Sequence, residues 1–249
     1  AGLVFWALPQ SMQPAFAASL PEAITVPLPE NEKGELAAEG FSVLADFINR
    51  QHPSLLVVGP GMGKSPLIEP LLFETNLPLV ADADALNALA RINEWPKKWK
   101  PSRPCIFTPH PGEMARLLKT QIAAAEADRI CQVESLCRQT GGISILKASG
   151  TLVSGPEGES VQTWKNTTGG PALAKAGSGD VLAGVIAGLW AQLGTEQGFD
   201  SRTALQAALC GVYLHGLAGD LAALKRTDYA VLARDTADSI AAAFLEVLQ

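Results

Sequence analysis

The 249-residue chain predicts an α/β fold on a mostly parallel central sheet with helices over both faces. Three observations lead there. Short β-rich runs alternate with helical stretches for most of the length, the rhythm of βαβ units. Those runs are apolar throughout instead of alternating, as strands are when both their faces are covered. Finally, 47% of the residues are hydrophobic and 18% charged, which suits one large core and not a disordered or fibrous chain. The reading is a single domain over residues 1–249.

In order, the pattern places a strand at Leu3–Leu8, a helix at Glu39–Arg50, a strand at Leu55–Gly59, a helix after Ser65 and a strand at Leu79–Asp82. A helix at Ala85–Arg91, a strand at Cys105–Thr108, helices at Pro111–Leu118 and Ile122–Thr140 and a strand at Ile143–Lys147 follow. Thr151–Ser154 and Val161–Trp164 read as a hairpin turning at Gly155-Pro156-Glu157-Gly158, a strong turn signal. Helices near Ser178–Leu193, Ser201–Leu217 and Arg234–Leu248 close the chain, and the alanine-rich faces of the last two predict close packing. Pro96 to Pro104 reads as a surface loop.

Ala1 to Pro9 is apolar, but it is about half the ~20 residues of a membrane span, so it reads as a buried strand. Ala15-Phe16-Ala17 loosely imitates a signal-peptidase site, yet no positive n-region precedes it and the first lysine is Lys33, so secretion is not expected. The chain opens without Met inside a folded element, and a truncated amino terminus is expected. Net charge is −6 with scattered basic residues, which argues against nucleic acid as a partner. Cys105, Cys131, Cys137 and Cys210 form no C-x-x-C pair, so neither a disulfide framework nor a zinc site is indicated and a reduced, cytoplasmic setting is expected, with no membrane association.

The most informative segment is Asn166 to Gly184. Gly177 and Gly179 lack β-carbons, so the chain can turn tightly there, and the following helix adds the positive end of its dipole. Gly177, Ser178 and Gly179 therefore form a candidate anion hole for a phosphoryl group. Asp180, in the first helical turn, is placed to take a proton from a hydroxyl attacking that group. The plainer alternative is that Ser178 or Asp180 caps the helix, though capping alone does not need the glycines.

Four other segments fall at the carboxyl ends of strands, where open α/β sheets bind ligands. Gly59-Pro-Gly-Met-Gly-Lys-Ser65 misses a P-loop because position 58 is Val58, and it reads as a turn in which Gly63 approaches a flat ligand. In Asp82-Ala-Asp-Ala-Leu-Asn87, Asp84 is a natural helix N-cap; were the segment extended, Asp82 and Asp84 would point one way and hold Mg²⁺ through water. Thr108-Pro-His-Pro-Gly-Glu113 fixes His110 between two prolines, with Glu113 in the first helical turn. His52 and His215 lack such settings and read as structural. Lys147-Ala-Ser-Gly-Thr151 offers a cation, hydroxyls and amides suited to nucleotide phosphates.

Taken in order, G-P-G-M-G, D-A-D-A-L-N, T-P-H-P-G-E, L-K-A-S-G-T and A-G-S-G-D-V-L-A-G resemble the ADP-dependent NAD(P)H-hydrate dehydratase family, the carboxy-terminal YjeF domain. The match covers Leu55 to about Leu193, and five motifs in one order are far more specific than any alone. The resemblance implies a ribokinase-like three-layer α/β/α sandwich and a repair reaction that dehydrates hydrated NADH or NADPH at the expense of ADP or ATP with Mg²⁺. Carried over, Gly63, His110 and Asp180 would contact the hydrated dinucleotide. Lys147, Ala148, Ser149, Gly150, Thr151 and Gly179 would bind the nucleotide, and no residue is assigned as a metal ligand. Asp180 would be the catalytic base. A homo-oligomer, and a fused or separate epimerase, are expected as partners.

The resemblance also implies a first strand and glycine-rich loop ahead of Ala1, which are expected to be missing from this chain, and it puts asparagine where Gly170 stands. Two other readings share the phosphoryl site. One is a vitamin-precursor kinase of the same fold, and the other is a non-catalytic nucleotide-binding fragment.

Overall fold

Four of the apolar runs form the parallel part of a six-stranded sheet in the computed structural model, which describes residues 1–99, 103–158 and 160–248. Along the chain come β1 (Phe5–Pro9), α1 (Gln13–Ser19), β2 (Ile24–Leu28), α2 (Gly40–Gln51), β3 (Leu56–Val58), α3 (Ile68–Phe73), β4 (Leu79–Ala81), α4 (Asp84–Arg91) and α5 (Trp95–Lys98). Then follow β5 (Cys105–Phe107), α6 (Pro111–Leu118), α7 (Glu126–Thr140), β6 (Ile143–Leu146), β7 (Leu152–Glu157), β8 (Ser160–Lys165), α8 (Ser178–Gln197), α9 (Ser201–Arg226), α10 (Ala233–Asp238) and α11 (Ile240–Leu248). The sheet runs β3-β4-β5-β6-β7-β8, with β7 and β8 antiparallel to their neighbours.

Alternate residues of each central strand supply two cores, because successive side chains of a strand point to opposite faces. Leu79, Ala81, Cys105 and Phe107 pack with α3, α4, α6 and α7 on one face, whereas Val80, Ile106, Ile143 and Ile145 pack with α8 and α9 on the other. The result is the three-layer sandwich. On the second face α8 and α9 approach so closely that a β-carbon on Gly211 would lie 2.6 Å from Ile186 Cγ1. The small residues of α9 serve that approach, and Leu214 and Ala218 also hold Ala243 of α11.

Several sequence expectations are corrected. Leu3 and Val4 are exposed and outside β1, which pairs with β2, an element the sequence reading lacked, in a separate two-stranded sheet and buries only Leu8 fully. Gly155, Pro156 and Glu157 belong to β7 and do not form its turn. Beyond Ser154 the strand has only β8 beside it, and an open ladder side accommodates proline. The surface loop expected at Pro96–Pro104 is only partly one: Lys97 and Lys98 are exposed, whereas Trp99 and Arg103 are buried. Trp95 and Trp99 are buried and donate their indole N–H groups to the carbonyls of Leu117 and Thr140, while buried Arg103 donates to the carbonyls of Leu71, Leu72 and Leu77. Residues 100–102 of that stretch lie outside the described residues. The last helix is two, α10 and α11, meeting at Ser239, and α9 runs on to Arg226.

Candidate active site

The carboxyl ends of β3 to β6 finish level. The Asp82 N–H donates to Val58 O at 3.1 Å, Thr108 N–H to Ala81 O at 3.1 Å and Lys147 N–H to Pro109 O at 2.9 Å, so the parallel ladder continues past the ends of β4, β5 and β6. This lines up Gly59, Asp82, Thr108 and Lys147 along one edge. Gly59 adopts φ +122°, and a β-carbon there would stand 1.8 Å from Asp82 O. The first loop therefore crosses directly over the end of β4, an approach open only to glycine.

At that crossing Ala83 takes φ 50°, ψ −112°, an uncommon conformation for a residue with a β-carbon. The bend sends the two neighbouring acids apart. Asp82, 1% exposed, accepts from Lys147 Nζ at 2.5 Å, and Asp84 accepts from the Gly63 N–H at 2.7 Å. The extended segment that a joint hold on Mg²⁺ would need is not formed: the two carboxylates are parted and each is engaged. Asp84 is also not an N-cap: it is the first residue of α4, and Ala83 before it makes no side-chain cap. No group of three acids, histidines or cysteines suited to a metal occurs among the described residues. Magnesium would come on nucleotide phosphates, its usual mode of entry.

The glycine turn before α8 behaves differently from a cap. Gly177 precedes the helix at φ +83° and no side chain caps it. Ser178 is buried, with Oγ 3.4 Å from His215 Nε2, and Asp180 is exposed with no side-chain hydrogen bond among the described residues. The Ser178 N–H is taken by Lys175 O at 3.3 Å, which leaves the amides of Gly177, Gly179 and Asp180 to face an anion. A β-carbon on Gly179 would lie 3.2 Å from Lys147 Nζ and 3.6 Å from Asp82 Oδ2, so the helix start abuts the Lys147–Asp82 pair.

Asp180 feels this assembly. Although its side chain reaches solvent, partial desolvation by the elements beside it raises its carboxyl above the ordinary aspartate range, the Asp82 and Asp84 charges raise it further, and Lys147 opposes them. A carboxylate moved in that direction is a better proton acceptor.

His110 is the N-cap of α6. Its Nδ1 accepts from the Gly112 N–H at 3.0 Å, its own N–H donates to Glu113 Oε2 at 2.8 Å, and Nε2 lies 3.3 Å from Glu113 Oε1. The ring is half exposed while Glu113 is buried, and burial pushes the Glu113 carboxyl up against the His110 amide and the Lys147 charge. Through Glu113 and Lys147 the histidine turn joins the edge that holds Asp180. The Ala148–Thr151 turn leans toward α7 and β8: Arg129 Nη1 donates to Ser149 O at 3.0 Å, and Gly150, at φ +65°, lies over the Lys165 side chain.

Sequence reasoning missed one residue of α9, Asp220, and its structural reading of His215 fits that residue's buried ring. Asp220 Oδ2 accepts from the Gly169 N–H at 2.8 Å and so pins the Gly169-Gly170 turn, while His215 backs Ser178. Asp220 carried a signal, being the only acid in a 26-residue helix otherwise given to packing.

A sequence model described as NAD(P)H-hydrate dehydratase matches residues 1–242. The chain belongs to the NAD(P)H-hydrate dehydratase family. It is 39% identical over 242 residues to the bifunctional NAD(P)H-hydrate repair enzyme Nnr of Moorella thermoacetica, a match that covers 96% of this chain and 43% of that protein. The chain thus spans under half the length of that relative. It is 38% identical over 197 residues to the ADP-dependent (S)-NAD(P)H-hydrate dehydratase of Neisseria meningitidis, covering 73% of this chain and 63% of the other. Among solved structures, the ADP/ATP-dependent NAD(P)H-hydrate dehydratase of Bacillus subtilis, co-crystallised with ATP and Mg²⁺, superposes with a TM-score of 0.72 at 25% identity, over 98% of this chain and 81% of that one. The sandwich is ribokinase-like.

Proposed function

We propose that this chain dehydrates hydrated NADH or NADPH to the intact cofactor, consuming ADP or ATP. The observation that carries the proposal is Asp180, an exposed carboxylate with a raised pKa in the first turn of α8, next to the open amides of Gly177 and Gly179. In this reading Asp180 takes the proton of the ring hydroxyl as its oxygen attacks the terminal phosphorus of the nucleotide, whose bond to the bridging oxygen breaks. The amides hold the transferring phosphoryl group as its charge builds. Phosphate then departs with the former hydroxyl oxygen, the ring loses a proton, and the dihydronicotinamide double bond returns. Phosphate leaves far more readily than hydroxide, which is the reason for consuming a nucleotide.

ADP as the phosphoryl donor is supported by the name of the Neisseria relative. A homo-oligomer is supported by exposed Leu224, Tyr229, Leu232, Leu245 and Leu248 on the α9–α11 side. An epimerase partner accords with the bifunctional Moorella relative, of which this chain covers 43%.

The test is incubation with hydrated NADH, ADP and Mg²⁺, following both the return of dihydronicotinamide absorbance and free phosphate. The two should rise together. A stable phosphoester instead would mark a kinase, and nucleotide binding without any turnover would mark a non-catalytic fragment.

A further inference from the structure

Arg129 stands where stability alone would not put an arginine. It falls in the first turn of α7, against the positive end of the helix dipole. Its side chain is drawn inward to 19% exposure, and its Nε is buried with no hydrogen-bond partner among the described residues. An orphaned buried donor costs stability, so the guanidinium is held there by what its other nitrogens reach. Nη1 donates to Ser149 O at 3.0 Å, and Nη2 lies 3.7 Å from Glu126 Oε2. Glu126 in turn accepts from Lys165 Nζ at 2.6 Å, and the Lys165 stem lies under Gly150, where an added β-carbon would stand 2.8 Å from Cε.

Side chains of α7 and β8 thus grip the turn after β6 from one side, and the consequence falls on the peptide between Ser149 and Gly150. A trans peptide points its carbonyl and its N–H in opposite directions, so a guanidinium that fixes the Ser149 carbonyl also fixes the Gly150 N–H, facing away from Arg129. Gly150, at φ +65°, has the conformational freedom to let that peptide turn over, which an outside hold prevents. The Ser149 and Gly150 N–H groups donate to no backbone carbonyl among the described residues. Two residues before Ser149, Lys147 meets Asp82 under the start of α8, so these amides stand beside the proposed phosphoryl site.

We infer that Arg129 is a positioning residue for the consumed nucleotide: by holding the Ser149 carbonyl, with Glu126 and Lys165 behind it, it sets the Gly150 N–H to receive a phosphate oxygen. The inference rests on the nucleotide-consuming reading above, in which Lys147 to Thr151 take that ligand, and it names residues which that reading leaves out. Arg129 bonds to neither the α8 amides nor Asp180 among the described residues, so it bears on nucleotide affinity and not on the chemical step.

The experiment compares the unaltered chain with Arg129→Met, which keeps the stem and removes the donors, and Arg129→Lys, which keeps a charged donor. Calorimetric titration with ADP or ATP and Mg²⁺ gives the dissociation constant, steady-state assays vary the nucleotide and hydrated NADH separately, and a cooperative melt shows that each variant folds. Arg129→Met should weaken nucleotide binding and raise the nucleotide KM about tenfold, as loss of a charge-assisted hydrogen bond does, with kcat and the KM for hydrated NADH holding within about twofold. Arg129→Lys should recover part of that loss. A contact that served stability alone would lower the melting temperature and leave nucleotide affinity unchanged, and that result overturns the inference, as does a KM rise shared equally by both substrates. An unaltered chain that binds nucleotide but restores no dihydronicotinamide removes the dehydratase reading instead, and the titrations still decide the role of Arg129. An unaltered chain that binds neither ADP nor ATP overturns both.

Discussion

Lys147 and Asp82, 65 residues apart in sequence, meet at 2.5 Å beneath the first turn of α8. The pair joins the ends of β4 and β6 and sets the charge next to Asp180. Asp82 is 1% exposed, so its carboxylate has no solvent to fall back on.

Removing one partner should therefore cost more than removing both. Lys147→Met is expected to lower stability by about 3–5 kcal/mol, the usual penalty for leaving a buried charge unpaired. Asp82→Asn/Lys147→Met should regain part of that loss. Chemical denaturation of Asp82→Asn, Lys147→Met and the double variant gives the comparison, and additive losses would count against a coupled pair.

Gly59 and Gly61 separate close approach from conformation. Gly59→Ala puts a methyl against Asp82 O at φ +122° and should cost about 3 kcal/mol or more. Gly61, at φ +67° with nothing near its missing β-carbon, should tolerate alanine at about 1–2 kcal/mol. Equal melting temperatures for the two variants would show that the approach is not tight.

Asp180 is held above the ordinary aspartate range by partial desolvation first, then by Asp82 and Asp84, against Lys147. As the base it must be ionised, so kcat/KM should fall as pH drops through that raised value. In Asp84→Asn the acid limb should move to lower pH, because one raising charge is gone while the amide oxygen still accepts from Gly63. An unmoved limb in a pH–rate profile would assign it to another group.

Burial lowers the His215 pKa from 6.5 to about 4. The unfolded chain then binds a proton that the folded chain refuses, so stability is complete above about pH 6.5 and declines as pH falls toward 4, by on the order of 3 kcal/mol. His215→Gln should flatten this decline. Denaturation midpoints across the window test it, and parallel curves for both proteins would contradict it.

The sequence showed most clearly what local chemistry decides. The β3 to β6 strands are largely apolar runs, and Pro111 and Gly177 punctuate the starts of α6 and α8, so the strand ends and turns at which Gly63, His110, Lys147 and Asp180 fall were legible. Pairings across long loops were not. β2 carries Pro27, which hides a strand, and Trp95 looks like loop until Leu117 supplies its acceptor. The rotation of Asp82 away from Asp84 depends on Ala83 at φ 50°, which no side-chain pattern announces. His215 and Asp220 lie within an apolar helix, and only its packing against the glycine turns reveals what they touch.

Asp180→Asn, assayed in parallel for nucleotide binding and for dehydration of hydrated NADH, addresses the base most directly. The account predicts a folded variant that binds ADP nearly as the unaltered chain does and restores no dihydronicotinamide. Retained turnover, or an equal loss of binding and turnover in a folded protein, would contradict it.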